Sequence, residues 1–460
     1  MRLSGALGST PGFTPRPSLV SLFTANQMRS IPECCPKTPI CRTSPLRYRP
    51  AMARRSPLPK VLLLATLALL SCTATEQPTD DPAASEAPTP TPRAVPSSTP
   101  PPIPSAPELS GQVTQLSLAG PDHAAALLID CAPTDGTDGP DGPENGSAAR
   151  GHCVYRVAVL EGDRWGIRET PLPTTPGGGS LYTVEAVGTG ALRVSSGDRD
   201  WVSTDGGLHW APAPPTAPET VPEIPPGAVP RPAGLSADDR ALEVLLPETA
   251  EARRLAEQPP LTELGRPGPL PGGGWWVAGL DPETAEPDIA VTRDAGRGWQ
   301  RLGLLDAAPT PHPHDVNSLV LAAGPTDWYV LASGNAAVGT GGAALTTSVL
   351  TVYRSSDEGA SWRPTWSAGS GPGPQSLVGT PIAGADGSLT VYSFDAIYTS
   401  TDRALSFAVT RQGAPPELPE LTPAGHLLTD LGQPGHYRLS ADGFTWRTVI
   451  LGGRDPGGAG

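Results

Sequence analysis

Beyond Cys72 this chain of 460 residues contains no lysine at all. There, 22 arginines face 45 aspartates and glutamates, which leaves −23, whereas the first 72 residues hold ten basic residues and one acid, Glu33. So acidic a surface repels phosphates and anionic headgroups, which excludes nucleic acid as a partner. Without lysine there is no phosphate-cradling glycine loop of the Gly-Lys kind, and no Gly-x-Ser-x-Gly nucleophile elbow is present. Long apolar runs are missing too: the longest, Val61–Leu70, is half of the roughly 20 residues that cross a bilayer. Gly 53 and Pro 59 together make nearly a quarter of the chain, so turns are many and long helices are not expected. The length suits two or three ordinary domains, or one large all-β domain behind a leader.

Residues 52–71 have the three parts of a secretory signal: a basic start (Arg54, Arg55, Lys60), the short apolar run, and small residues at the end. The sequence LLSC ending at Cys72 resembles the bacterial lipobox, in which cleavage leaves a lipid-bearing cysteine. The resemblance implies a lipid on Cys72, a location outside the cytoplasm, and membrane attachment through that anchor alone; the alternative is an ordinary secreted protein. Met52 starts this signal better than Met1, so residues 1–51, with Cys34, Cys35 and Cys41, read as a mis-annotated upstream extension. Residues 72–107 are rich in Pro, Thr and Ser, cannot bury a core, and read as an extended tether. The folded domain is expected over 108–460.

In that domain, strands of five to eight residues alternate with Gly and Pro, and the best helical candidate, Thr249–Gln258, reads equally as a strand. Three stretches share one pattern: STDGGLHW with Asp205, Gly207 and Trp210; TRDAGRGW with Asp294, Gly296 and Trp299; SSDEGASW with Asp357, Gly359 and Trp362. A fourth, with Asp402 and Phe407, has Ala404 in place of the glycine, and a fifth, with Asp442 and Trp446, is one residue shorter. The segment ending at Trp165 reads as a worn sixth copy. The pattern resembles the Asp-box, or bacterial neuraminidase repeat, of sialidases, sortilin ectodomains and propellers similar to the photosystem II assembly factor. In such a box the Asp accepts hydrogen bonds from the turn's own N–H groups, the Gly takes a positive φ, and the aromatic opens the next strand. Glu358 aligns with Gly206, Ala295 and Arg403, so its position reads as one that tolerates any residue.

The aromatics at 165, 210, 299, 362, 407 and 446 are 45, 89, 63, 45 and 39 residues apart. The 89 is two units, the silent one lying around Asp239–Glu248; the 63 is one unit with an insertion at Gly334–Ser348. The expectation is an all-β, seven-bladed β-propeller of four-stranded blades. In blade five, VNSLVLAAG, DWYVLASG, SVLTVYRS and WRPTW are the four strands, and GGWWVAGL (Gly273–Leu280) takes the inner position in blade four. Cys131 and Cys153 end and begin strands that face each other in blade one, so a disulfide is expected, with a buried free pair as the alternative. Closing that loop stabilises by about 3 kcal/mol.

Sites for chemistry are sparse. The sialidase resemblance implies three arginines, a Tyr–Glu nucleophile pair and an Asp acid/base at the propeller centre, but no Arg precedes any of the three Ile-Pro pairs and Tyr155, Tyr182, Tyr329, Tyr353, Tyr392, Tyr398 and Tyr437 show no Glu partner. No catalytic residue is therefore assigned. His312, His314 and Asp315 cluster in PHPHDVN, and Asp135, Asp138, Asp141 and Glu144 in the loop 132–147. Both lack the ligand order of a zinc or EF-hand site and read as solvated loops, so no metal or cofactor is expected. Of Trp275 and Trp276, one is expected to face the core and the other a neighbouring sheet, although a stack on sugar is possible geometry for such a pair. The reading that follows is a monomeric, non-catalytic binding module for a protein or carbohydrate, acting at the channel mouth opposite the box hairpins. A sialidase-like or other glycosidase is the rival, and a purely structural envelope protein the third reading.

Overall fold

The chain divides into two units, Met1–Pro88 and Thr89–Gly460. A computed structural model describes residues 98–132, 152–176, 182–197, 199–215, 217–233, 241–307, 316–338 and 345–452, all in the second unit. They form seven four-stranded blades arranged as a β-propeller, the first extended by the two-residue strand Thr175–Pro176, with one short helix, Leu304–Ala307.

Strand alternation explains how the blades pack. In the second strand of blade one (His123–Cys131), Ala126 and Leu128 join the core shared with blade seven, while Ala125 and Leu127 join the core shared with blade two. A strand covered on both faces must be apolar at successive positions, which is why this one reads AAALLI. Trp275 and Trp276 divide in the same way. Trp276 is buried between blades four and five, and Trp275 packs towards blade three. Each fully buried Leu or Val contributes about 1.5–3 kcal/mol, so the stability sits at the blade junctions.

Blade five follows the expected strands, and the insertion at Gly334–Ser348 extends its central hairpin to strands Trp328–Val338 and Leu345–Ser355. Blade four differs from expectation. Its inner strand is the two-residue Gly268–Pro269, and Trp275–Leu280 is the second strand. A Gly-Pro pair carries no alternation, so only its hydrogen-bonded neighbour was visible as a strand. Thr249–Gln258 contributes the strand Ala252–Leu255 rather than a helix.

Blade three, the silent unit, is built differently from the other six. Its outer strand, Ala217–Val221, comes first in sequence and pairs in parallel with Ala252–Leu255. Its inner strand, Val229–Pro232, starts where Leu245 ends, and the turn just after Leu245 brings Pro247 against Gly188 in the first turn of blade two. In blade two that turn follows the end of the inner strand, Thr183–Ala186. The inner strand of blade three therefore runs against its neighbour. With its outer strand placed first, the blade has no turn from third to outer strand, which is the turn that holds the repeat pattern elsewhere.

The ring closes at blades seven and one. Ala106 N–H donates to Ile450 O at 2.7 Å and Gly452 N–H to Ala106 O at 2.9 Å, a parallel bridge alongside the last strand. Trp165 Nε1–H donates to Pro104 O at 2.9 Å, and Ile103, Ala106 and Leu109 are buried with Leu427, Leu439 and Val449. Residues 98–107, read from composition as the end of the tether, thus run along this seam. Cys131 and Cys153 are bonded to each other.

Candidate functional site

Two features stand out: the repeated turns on one face, and a pocket at the axis. In each of the five turns a Ser or Thr hydroxyl donates to the aspartate two residues on, at 2.9, 2.8, 2.7, 2.7 and 3.0 Å for Asp205, Asp294, Asp357, Asp402 and Asp442. The same Oδ1 takes backbone N–H groups across the turn, from His209 at 3.0 Å, Gly298 at 3.0 Å, Ser361 at 2.9 Å, Ser406 at 3.0 Å and Thr445 at 2.7 Å. Such bonds favour the carboxylate. The Ser361 hydroxyl, then Ser355 and the Ser361 N–H, hold Asp357 down to about 2. The His209 N–H and ring lower Asp205, and the Thr292 hydroxyl and Gly298 N–H lower Asp294.

The turns brace the preceding blade. Trp210 Nε1–H donates to Glu169 O at 2.9 Å and Trp299 Nε1–H to Glu257 O at 3.2 Å, while Trp362 bonds back to Gly359 O at 3.1 Å. Phe407 meets Trp366 of blade five edge-on at 5.6 Å, and Trp446 lies under the Arg438 guanidinium at 5.3 Å. Gly207, Gly296 and Gly359 have φ of 82°, 83° and 89°. The position before them is not indifferent: Gly206, Ala295, Glu358 and Arg403 have φ of 72°, 58°, 55° and 64°, so Glu358 occupies a left-handed position that costs a side-chain-bearing residue about 1 kcal/mol.

The axial pocket encloses about 170 Å³. Gln115, Ser117, Glu185, Arg266, Glu420 and Thr422 supply its polar groups. Inner strands of adjacent blades do not pair, so side chains satisfy their N–H groups: Val184 N–H donates to Gln115 Oε1 at 2.9 Å and Ala186 N–H to Ser117 Oγ at 3.0 Å. Glu420 of blade seven accepts from Arg266, on the connection between blades three and four, at 2.6 Å. Glu185 lies 3.7 Å from Arg231, which is also 3.7 Å from Glu243. Burial, then the nearby Arg193, lowers the Arg231 pKa against the pull of Glu185 and Glu243. Arg193 is bonded to Asp200, whose pKa burial would raise but whose bonds to Ser195 and Arg193 lower it.

These pocket residues were not singled out from sequence, since an inward-facing Glu in TVEA looks like any strand charge. Three of the tyrosines weighed there as nucleophiles have hydroxyl partners elsewhere. Tyr155 OH meets Thr175 Oγ1 at 2.9 Å, Tyr329 OH donates to Gly387 O at 2.6 Å, and Tyr398 OH to Asp395 Oδ2 at 2.6 Å. Tyr329 and Tyr437 are raised above the usual phenol range by burial, and Tyr392 and Tyr398 to about 12, in both again chiefly by burial. Among the described residues no three His, Cys, Asp or Glu gather where a metal could sit. His312, His314, Asp315, Asp135, Asp138, Asp141, Glu144 and Cys72 lie outside the described residues. No described helix is long and apolar enough to cross a membrane.

No protein-family model matches the chain, and no curated protein does. Among solved structures it is similar to PorZ, a surface component of the type-IX secretion system of Porphyromonas gingivalis, at 12% identity and a TM-score of 0.34; the match covers 74% of this chain and 38% of PorZ. It is similar to a gluconolactonase from Xanthomonas campestris at 15% identity, covering 56% and 82% of the two chains with a TM-score of 0.29. A glycosyl hydrolase from Bacteroides ovatus matches at 10% identity, 57% and 81% coverage, and a TM-score of 0.28. This chain thus spans well under half of PorZ, and similarities of this order carry nothing about ligands.

Proposed function

We propose that the protein is an extracytoplasmic lipoprotein, anchored through Cys72, whose propeller of Asp-box turns binds a protein or glycan chain at the axial pocket without turning it over. The observation that supports this reading is the pairing of the pocket's charges. Glu420 accepts from Arg266 and Glu185 lies within ion-pair distance of Arg231, so each of the pocket's two carboxylates has a cationic neighbour rather than standing as an unengaged acid or base. Polar groups fixed by neighbours recognise hydroxyls and peptide groups at little ordering cost. The test is retention of the mature chain on glycan and peptide arrays, with Arg266→Ala and Glu420→Ala beside it. Retention should fall about tenfold or more in both variants, the loss of one charge-assisted contact; retention that ignores both substitutions sinks the pocket as the binding site. Labelling of the wild type, but not of Cys72→Ser, by a fatty-acid analogue tests the anchor.

One observation favours a second reading. Glu185 and Glu420 line the same pocket, and two carboxylates across one cavity are the minimum equipment of a glycoside hydrolase. Turnover of an aryl glycoside or sialoside that disappears in both Glu185→Gln and Glu420→Gln would establish it over the first.

A further inference from the structure

Among the described residues, three of the six exposed large apolar side chains recur at one place in the repeated turn, while Phe394 and Leu431, at 58% and 55%, lie elsewhere. Leu208 and Leu405 are 63% exposed and Phe444 is 51% exposed, and all three occupy one position of the repeated turn. Their backbone N–H groups make the same bond, to Oδ1 of Asp205, Asp402 and Asp442 at 3.1, 3.1 and 2.9 Å. The turn thus holds each side chain outward at a fixed place on the face that carries the turns. Blades six, seven and two bear them, and in blades four and five the position is Arg297 and Ala360. The apolar tips therefore flank one arc of the rim that spans the seam between blades seven and one, with the charged turn of blade one, Glu161, Asp163 and Arg164, between them.

The chain enters the ring at that same arc. Ser98 N–H donates at 3.4 Å to Oδ2 of Asp442, the carboxylate whose other oxygen accepts from Phe444. Between Cys72 and Ser98 lie about 25 residues rich in proline, which reach at most about 80 Å when extended. A lipid on Cys72 keeps the entry point within that distance of a bilayer, and the side of the disc nearest the entry point is the arc with Leu405, Phe444 and Leu208. We propose that this arc rests on the membrane surface, the three side chains entering the acyl boundary as apolar tips. The inference rests on the lipoprotein reading above.

Physical scale agrees with it. Three apolar side chains bind a bilayer too weakly to recruit a free protein, but a tether of this length supplies an effective concentration of millimolar order, at which weak contacts are occupied. The acidic remainder of the domain is repelled by anionic headgroups, and the turns of the arc set arginines beside their carboxylates. Exposed Arg403 and Arg447 stand two and three residues from Leu405 and Phe444. The arrangement leaves the opposite face directed away from the membrane. There the turns between second and third strands carry the exposed Phe394 and Leu431 of blades six and seven.

The test uses the mature lipidated protein on vesicles of phosphatidylcholine and phosphatidylglycerol with brominated acyl chains, read by quenching of tryptophan fluorescence. Trp446 and Trp210 stand in the turns concerned. Wild type should be quenched; Leu405→Asp/Phe444→Asp should lose about half of the quenching or more, and Phe394→Asp/Leu431→Asp should lose none. If the aspartate pair does not fold, Leu405→Ser/Phe444→Ser replaces it. Equal loss in both pairs, or protein that floats with the vesicles but is not quenched, overturns the membrane face and leaves the anchor standing. Protein that does not float overturns both.

Discussion

Blade three and the six regular blades solve one problem with opposite chemistry. Where a third strand must turn, the five repeat-turn blades use a carboxylate that only accepts, surrounded by hydroxyl and N–H donors, as around Asp357. Blade three leaves its third strand without such a turn, and there a carboxamide takes over. Gln258 Oε1 accepts from Leu242 N–H at 2.6 Å, and its Nε2 donates to Leu242 O at 3.1 Å and Leu255 O at 2.5 Å. The difference teaches that the repeat belongs to a chain path rather than to a propeller as such. Where the path is inverted, a group with both donor and acceptor capacity is required instead.

The largest expected break in this comparison is at Gly296, the repeat-turn residue that touches blade three. Its φ is 83°, and an added Cβ would lie 2.9 Å from Leu255 Cδ2 and 3.2 Å from Ile224 Cδ1, both buried. Gly296→Val should cost about 3–5 kcal/mol, combining strain in the left-handed region with overpacking. Gly303, with φ of 55° and nothing within 4 Å of its Cβ, separates the two contributions. Gly303→Val should lose only the conformational part, about 1–2 kcal/mol, in the same urea titration.

Acid should act next, and on the repeat-turn side. His426 of blade seven is buried near Asp442, and burial lowers its pKa to about 4. An unfolded histidine titrates near 6.5, so between pH 6.5 and 4 the unfolded chain binds the proton and the native one does not. Stability therefore falls as pH drops through that window, by up to about 3 kcal/mol, and is unaffected by this group above it. The turn aspartates act lower: with Asp357 held near 2, its contribution is complete above pH 4 and disappears as pH falls towards 2. His426→Phe should abolish the upper step of a stability-against-pH curve and keep the lower one. A curve unchanged by the substitution would assign the upper step elsewhere.

Much of this was readable beforehand because the chemistry of the repeat is local. Ser203, Asp205 and Gly207 satisfy one another within five residues, so pattern and spacing announced hairpins, and hairpins about 45 apart announced blades. The inversion of blade three was hidden, since turn spacing counts units without giving strand direction. Gly268–Pro269 was hidden by having no side-chain pattern. The axial pocket was hidden for a third reason: Glu185, Arg266 and Glu420 meet only after seven blades close, through contacts 154 residues apart in the case of Arg266 and Glu420. What sequence shows least is what the ring creates.

The smallest and sharpest test exchanges the two chemistries. Asp357→Asn keeps an oxygen for Ser355 and Ser361, and the Ser361 hydroxyl, at 2.5 Å from Oδ2, can turn to accept from the new amide. The cost should be the smaller of the two, the difference between a charge-assisted and a neutral bond in a turn open to water. Gln258→Glu changes as few atoms but leaves a carboxylate facing the carbonyls of Leu242 and Leu255, with nothing to donate. Leu242 is fully buried, so its carbonyl loses its side-chain partner away from water while a like-signed oxygen stands beside it, and the loss should be about 2–3 kcal/mol. If urea titrations instead find the two exchanges equally mild, the turn aspartate and Gln258 are interchangeable polar fillers. The distinction between regular and inverted blades would then rest on strand order alone.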